Sequence, residues 1–214
     1  DTKWKLNTIG KNWYIGETLH SGIGQGYFLT TPLQLCLMTA QIANGGFKIN
    51  PRLVFGEENL ENKLTQINSG PLNEFFSSFT SQPLFRNQEN INFVKEAMFA
   101  SSNEVGGTSY ASRLDDKKFM FAGKTGSSQI KKFTEEQREA EIKQKDIDYM
   151  SRDHALFVAF APYSDPKYAI SVLIEHGGSG SSSAAPIAKK VIKKVIERDN
   201  LRNAQKNIFI SKET

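Results

Sequence analysis

Apolar and polar positions follow different rhythms along this chain, and each rhythm predicts a different element. Between Thr31 and Ala43, Leu33, Leu35, Leu37, Met38, Ile42 and Ala43 crowd most sides of a helical period, which predicts a buried helix. Thr31-Pro32 suits its start, since threonine can cap and proline loses no hydrogen bond at the first helical position; Asn44-Gly45-Gly46 suits its end. Residues 90–103 predict a second helix with Ile91, Val94, Met98 and Phe99 on one face and Gly106-Gly107 breaking it. A third begins at Ala184, where Ile187, Ala188, Val191, Ile192, Val195 and Ile196 form a stripe opposite Lys189, Lys190, Lys193 and Lys194.

Shorter apolar runs predict strands. Phe119–Ala122 leads into Gly123-Lys124-Thr125-Gly126, with a polar continuation beyond. His154–Ala161 is continuously apolar, as a central strand requires. The turn signal Tyr163-Ser164-Asp165-Pro166 separates it from Tyr168–Ile174, so the two runs predict an antiparallel hairpin. The first thirty residues, rich in Gly, Trp and Tyr, show no period and read as an ordered loop, whereas residues 47–90 read as irregular structure with two short strands. Residues 131–153 hold 13 charged residues in 23, with Glu139–Lys143 and Glu141–Lys145 at helix-pair spacing, and predict a solvated helical excursion. Gly177–Ser183 reads as a small-residue loop and the last fifteen residues as a frayed tail. The expected class is α/β of the α+β type: an antiparallel sheet packed by helices, one domain over residues 1–200 and a polar tail over 201–214.

Composition narrows the function classes. With 214 residues and 38% hydrophobic content the chain can bury a core and is too apolar for general disorder. No run of about 18 apolar residues exists to cross a membrane. The chain opens on Asp1-Thr2-Lys3-Trp4 without an initiator methionine or signal-peptide pattern, which reads as a cleaved or truncated start. The +4 charge comes with no basic face interleaved with aromatics, so nucleic acid is not an expected partner. One cysteine, Cys36, excludes an internal disulfide and a cysteine zinc site, and reads as a buried small hydrophobe. His20, His154 and His176 are widely separated without metal-ligand spacing, so no metal or cofactor is expected and these histidines read as structural.

The candidate chemistry is Lys124-Thr125-Gly126-Ser127. Alone the triplet favours a solvated turn with a surface lysine. On a strand, however, Lys124 would place a positive charge at an edge, Gly126 would admit a ligand backbone, and Thr125 and Ser127 would share one side. That suits an extended peptide bearing a carboxylate, added to the strand edge.

In this context the triplet resembles the third signature motif of penicillin-binding proteins and serine β-lactamases. Ser21-Gly22-Ile23-Gly24-Gln25-Gly26-Tyr27 with Thr30-Thr31-Pro32-Leu33-Gln34-Leu35 is similar to a segment of class B penicillin-binding proteins, and Gly106-Gly107-Thr108 matches the same group. Arg152–Tyr163 and Glu175-His176-Gly177-Gly178 look like its elongation-type members, so the resemblance covers about residues 1–197 in order. It implies the C-terminal half of a β-lactamase/transpeptidase-like fold. It also implies a peptidoglycan D,D-transpeptidase working through a serine acyl-enzyme at the periplasmic face of a bacterial inner membrane, held there by an N-terminal anchor that these residues lack. By that resemblance Lys124 keeps the site positive and moves protons. Thr125 and Ser127, beside Gly126, hold the carboxylate of the stem peptide or of a β-lactam, and the Ser127 backbone N–H is one of two oxyanion donors. The Ser21–Tyr27 loop would buttress the site. Implied partners are the stem peptide, β-lactams, the upstream half of the domain and cell-wall elongation proteins.

The family's nucleophile sits in Ser-x-x-Lys, followed by Ser-x-Asn or Ser-x-Asp and then Lys-Thr-Gly. Here Ser128-Gln129-Ile130-Lys131 and Ser164-Asp165-Pro166-Lys167 carry the string, but both follow or end the triplet strand and neither suits a helix. Ser101-Ser102-Asn103 imitates the second motif only 21 residues before Lys124. All three are set aside, and the two missing motifs are expected before Asp1. The alternatives are a non-catalytic binding module and, last, a phosphate or nucleotide binder using Gly123–Gly126 and Gly177–Gly180, which lack Walker spacing.

Overall fold

The computed structural model describes residues 1–51, 83–130 and 146–210, the last six by backbone alone. The two short strands expected within 47–90 and the charged helix pairs near residue 140 fall largely outside the described residues. Where the sequence suggests one domain to residue 200, the backbone divides into two units, Asp1–Thr31 and Pro32–Thr214.

The first unit is not a loop. Two helices, α1 (Thr2–Ile9) and α2 (Ile15–Gly22), fold around a buried lysine. Asp1 caps α1 by accepting the Trp4 N–H at 2.7 Å. The Lys5 ammonium donates to Asn12 O at 2.7 Å and to Glu17 Oε1, and lies 4.8 Å from the Tyr14 ring centroid. Glu17 also accepts the Tyr14 N–H at 2.7 Å, tying the start of α2 to the same charge. Apolar burial does not mark the two helices: their interior is this ion pair, and Ile15 and Leu19, at helical spacing on α2, are exposed.

Among the described residues the second unit holds a three-stranded antiparallel sheet, β1 (Ala122–Ser128), β2 (His154–Ala161) and β3 (Tyr168–Ile174), in that order. The expected hairpin is present, with Ala155 opposite Ile174 and Ala161 opposite Tyr168. The strand carrying the Lys-Thr-Gly triplet starts at Ala122 rather than Phe119, because Phe119 and Met120 close a turn on Asp116 O. Helices cover both faces. On one side α3 (Pro32–Ala43) and α4 (Gln88–Asn103) pack Ala43 and Met98 against Ala122 and Phe160. On the other, α5 (Ala185–Ile210) packs Ala185, Ala188, Ile192 and Ile196 against Ala155, Phe157, Ala159 and Ala161. Alternate β2 residues thus enter opposite cores, which explains the unbroken apolar run.

Two expectations shift. In α3 only Thr39 and Ala43 are fully buried. The α5 stripe splits: the 188–192–196 line is buried while Ile187, Val191 and Val195 are exposed. The helix also continues to Ile210, so residues 201–210 are helical rather than frayed. Among the described residues no helix is long and apolar enough to cross a membrane. Cys36 is half-buried with its thiol 3.5 Å from Ala169 O, and burial pushes its pKa up.

Candidate functional site

The register of β1 on β2 fixes which of its backbone groups face outward. Lys124 lies opposite Val158 and Gly126 opposite Leu156. Tyr163 N–H reaches Met120 O at 2.8 Å, so even-numbered residues on this stretch turn toward β2. Odd-numbered ones turn away, since antiparallel strands alternate. The Phe121 and Gly123 carbonyls on that outer edge accept from α4: Asn103 Nδ2 from 2.9 Å and, more weakly, Ser102 Oγ from 3.4 Å. The same alternation puts the N–H and C=O of Thr125 and Ser127 on the outer edge, beyond the reach of those two side chains.

The side chains converge on this edge. Lys124 is exposed and folds back so that Nζ donates to Thr125 O at 2.8 Å. Thr125 Oγ1 donates to Thr108 Oγ1 at 3.0 Å, and Thr108 Oγ1 lies 3.2 Å from Ser101 Oγ. Gly106-Gly107-Thr108 therefore meets the triplet in space. Gly107 permits this turn: a Cβ there would strike Ser101 O and lie 2.7 Å from Ala100 O. Ser109, buried below, bonds Ser101 O at 3.1 Å and Ser102 Oγ at 3.0 Å. On the far side, Gly180 presses on the triplet's glycine, with a would-be Cβ against Leu156 O and 2.7 Å from Gly126 O. Thr125 and Ser127 share one strand face, as the alternation predicts.

The three decoys resolve structurally. Ser128 ends β1 instead of starting a helix. Ser164–Lys167 lies in the β2–β3 turn, where Lys167 pairs with Asp165 at 3.7 Å. Ser101-Ser102-Asn103 forms the last turn of α4 and bonds the β1 edge. The Ser21–Tyr27 segment belongs to the first unit, where Gly24 N–H reaches Ser21 O at 3.1 Å and Gln25 N–H reaches His20 O at 2.9 Å.

Pattern reading missed one pairing. His154 and His176, 22 residues apart, meet edge to face with ring centroids 5.0 Å apart, and the His176 N–H donates to His154 Nδ1 at 3.0 Å. The hairpin register, with Ala155 opposite Ile174, brings the two histidines near each other but sets His176 one residue past the position opposite His154. With Gly178 N–H on Asp153 O at 2.8 Å, the pair locks the open end of the hairpin beside Ser128. Among the described residues no cluster of His, Cys, Asp or Glu could hold a metal ion.

Comparisons with known proteins bear on this edge. Residues 5–193 match the family described as penicillin binding protein transpeptidase domain. A peptidoglycan D,D-transpeptidase MrdA of Salmonella typhimurium is 33% identical over 189 residues, 88% of this chain and 28% of that protein. Among solved structures, the complex between penicillin-binding protein PBP2 and MreC from Helicobacter pylori superposes with a TM-score of 0.69 at 33% identity, covering 92% of this chain and 30% of that one. Pseudomonas aeruginosa PBP2 in complex with WCK 5153 gives 0.64 at 33% identity, over 90% and 35%. The chain thus spans under a third of the length of the curated relative it matches.

Proposed function

Because this chain belongs to the family of penicillin-binding protein transpeptidase domains, we propose that it forms one wall of a peptidoglycan D,D-transpeptidase site, the edge of β1, and that the nucleophilic serine comes from a Ser-x-x-Lys helix outside residues 1–214. The observation that carries the reading is the β1 edge itself. Lys124, Thr125 and the outward N–H of Ser127 lie along one stretch of strand, backed by the Thr108 hydroxyl.

On this reading a stem peptide lies along β1 as an added strand. Thr125 Oγ1 and the Ser127 side chain hold its terminal carboxylate, and the exposed Lys124 ammonium supplies positive charge there. The serine attacks the penultimate carbonyl. The Ser127 N–H, with the serine's own, stabilises the oxyanion that forms. Collapse breaks the amide, releases the terminal D-Ala with a proton and leaves an acyl-enzyme, which an acceptor amine then resolves into a cross-link. A β-lactam enters the same way and stays. The protein works at the periplasmic face of the inner membrane with elongation proteins, as the MreC complex of the Helicobacter pylori relative suggests.

The test is fluorescent-penicillin labelling of the protein made from the whole coding sequence. Labelling is expected on a serine outside residues 1–214, and Thr125→Val should slow it about tenfold, the scale of one hydrogen bond to a charged group. Mapping the label to a serine within residues 1–214 would overturn this division of roles. A complete coding sequence without Ser-x-x-Lys, and no labelling, would leave a non-catalytic binding module.

A further inference from the structure

The segment that presses on the triplet's glycine is anchored at its start by the two histidines. Among the described residues His176 is the one residue other than glycine with a positive φ, at 54°, a left-handed conformation that a side chain disfavours. Two hydrogen bonds hold it there. Its N–H donates to His154 Nδ1 at 3.0 Å, and its Nδ1 lies 3.3 Å from Arg152 O. These contacts assign both tautomers. A backbone N–H can only donate, so His154 Nδ1 is bare and the ring is neutral, with its proton on Nε2. A carbonyl can only accept, so His176 Nδ1 carries a proton. From His176 the backbone is tied step by step to the site. Gly178 N–H donates to Asp153 O at 2.8 Å, and the buried Asp153 carboxylate accepts the Ile130 N–H, just past β1, at 3.4 Å. Ser183 closes the segment on itself, its Oγ donating to Gly177 O at 2.7 Å and its N–H to Ser179 O at 3.0 Å. Gly180, inside that closure, lies on the Gly126 backbone with no room for a Cβ. A segment closed in this way moves as one piece, so the histidine contact and the Gly126 contact are made or lost together.

We infer that His154 and His176 are positioning residues that hold Gly177–Ser183 against Gly126, and thereby set the adjoining Ser127 N–H, only while His154 Nδ1 is bare. A proton on that nitrogen turns the acceptor into a donor facing another donor, and the hydrogen bond is lost. Imidazole is the side chain that changes charge between about pH 5 and 8. Both rings are partly exposed, so water can deliver the proton. Among the described residues the charged groups beside the pair are Arg152 and Asp153, just before β2, and Glu175, just after β3. The Tyr149 ring lies 5.3 Å from His176 and carries the Arg152 guanidinium 5.7 Å from its centroid. Gly126–Ser128 opposite, and Gly177–Ser183 itself, add only hydroxyls and backbone. The released state binds one proton more than the latched state. The latch is therefore complete above the imidazole range and is lost as pH falls through it. The role given to the Ser127 N–H rests on the transpeptidase reading above; the contact with Gly126 does not.

Nitrogen–proton NMR of the 214-residue chain, titrated from about pH 8 to about pH 5, tests the latch. At the alkaline end the His154 ring should be the Nε2–H tautomer. On acidification the Gly126 and Gly180 amides should move with the midpoint of the His154 ring signals. His154→Asn places an amide oxygen near the position of Nδ1 and cannot take the proton, so it should keep the alkaline position of Gly126 and abolish the pH step. His176→Asn keeps the N–H and tolerates a positive φ, so the step should remain. A merely structural pair would displace Gly126 alike in both variants and show no step to lose. A Gly126 step that persists in His154→Asn overturns the latch. So does a proton on His154 Nδ1 at the alkaline end, which decides even if His154→Asn fails to fold. In the protein made from the whole coding sequence, wild-type labelling by fluorescent penicillin should fall at least about tenfold below that of His154→Asn on the acid side, since misplacing a catalytic group by about 1 Å can cost about a hundredfold. Equal acid-side labelling of the two, with the Gly126 step present, overturns the coupling to Ser127 and leaves the transpeptidase reading standing. No labelling at any pH sinks that reading, and the Gly126 step then decides the latch by itself.

Discussion

Single residues set the tolerances of this edge. Gly180 touches the backbone of Gly126 and Leu156, and a methyl group there has no flexible neighbour to displace. Gly180→Ala should cost about 1–3 kcal/mol in urea unfolding, the usual scale of overpacking, and should broaden or move the Gly126 amide resonance. Normal stability with an unmoved Gly126 would contradict the described approach. In the first unit the decisive residue is Lys5. Its hydrogen bond holds the Glu17 carboxyl below the usual carboxylate range, the Tyr14 N–H adds to this, and burial opposes it. A carboxyl whose folded pKa is depressed adds stability above its unfolded pKa and loses it as pH falls through the folded one. The first unit should therefore loosen on the acid side, below the ordinary carboxylate range. Both tryptophans, Trp4 and Trp13, lie in this unit, so their fluorescence follows it. Glu17→Gln should flatten that acid transition; an unchanged titration would remove Glu17 as its origin.

At the scale of elements, legibility followed periodicity. α3, α4 and the β2–β3 hairpin were readable because one force, apolar burial, repeats at a fixed spacing. α1 and α2 were not, because a buried ion pair and two aromatic rings organise them. α5 was readable as a helix but not in its burial. The seven apolar positions make a wide stripe, yet only Ala184, Ala188, Ile192 and Ile196 join the core under β2. This sorts the substitutions. Ile192→Ala removes a buried side chain from the sheet face and should cost about 2–5 kcal/mol. Val191→Ala, one residue away and exposed, should stay within about 0.5 kcal/mol. Equal losses at the two positions, measured by chemical denaturation, would mean that α5 is rotated from the described orientation.

For the whole molecule, the site was legible in part. The Lys-Thr-Gly strand and the Gly-Gly-Thr segment could each be named from sequence, but their meeting through Thr108 and Thr125 depends on a turn that needs glycine at both 106, for its φ of 91°, and 107, for its close approach to Ser101 O. The histidine pair was hidden for the same reason: contact across a hairpin has no sequence period. What the proposed reading still requires follows from chemistry as much as from fold. Acyl transfer needs a serine, a base within hydrogen-bond reach, and an oxyanion site about 3 Å from both. Donors and charge stand on β1, while Ser128 ends that strand and Ser164 and Lys167 lie in the β2–β3 turn. On the proposed reading the edge supplies donors for an anion whose nucleophile comes from outside residues 1–214. The 214-residue chain should therefore form no covalent adduct with labelled penicillin when the intact protein is followed by mass spectrometry, even at concentrations where the Thr125 and Ser127 amides respond to the free ligand. An adduct on Ser101, Ser102 or any other serine of the chain would require a base that none of the described contacts supplies, and would move the catalytic centre onto this wall.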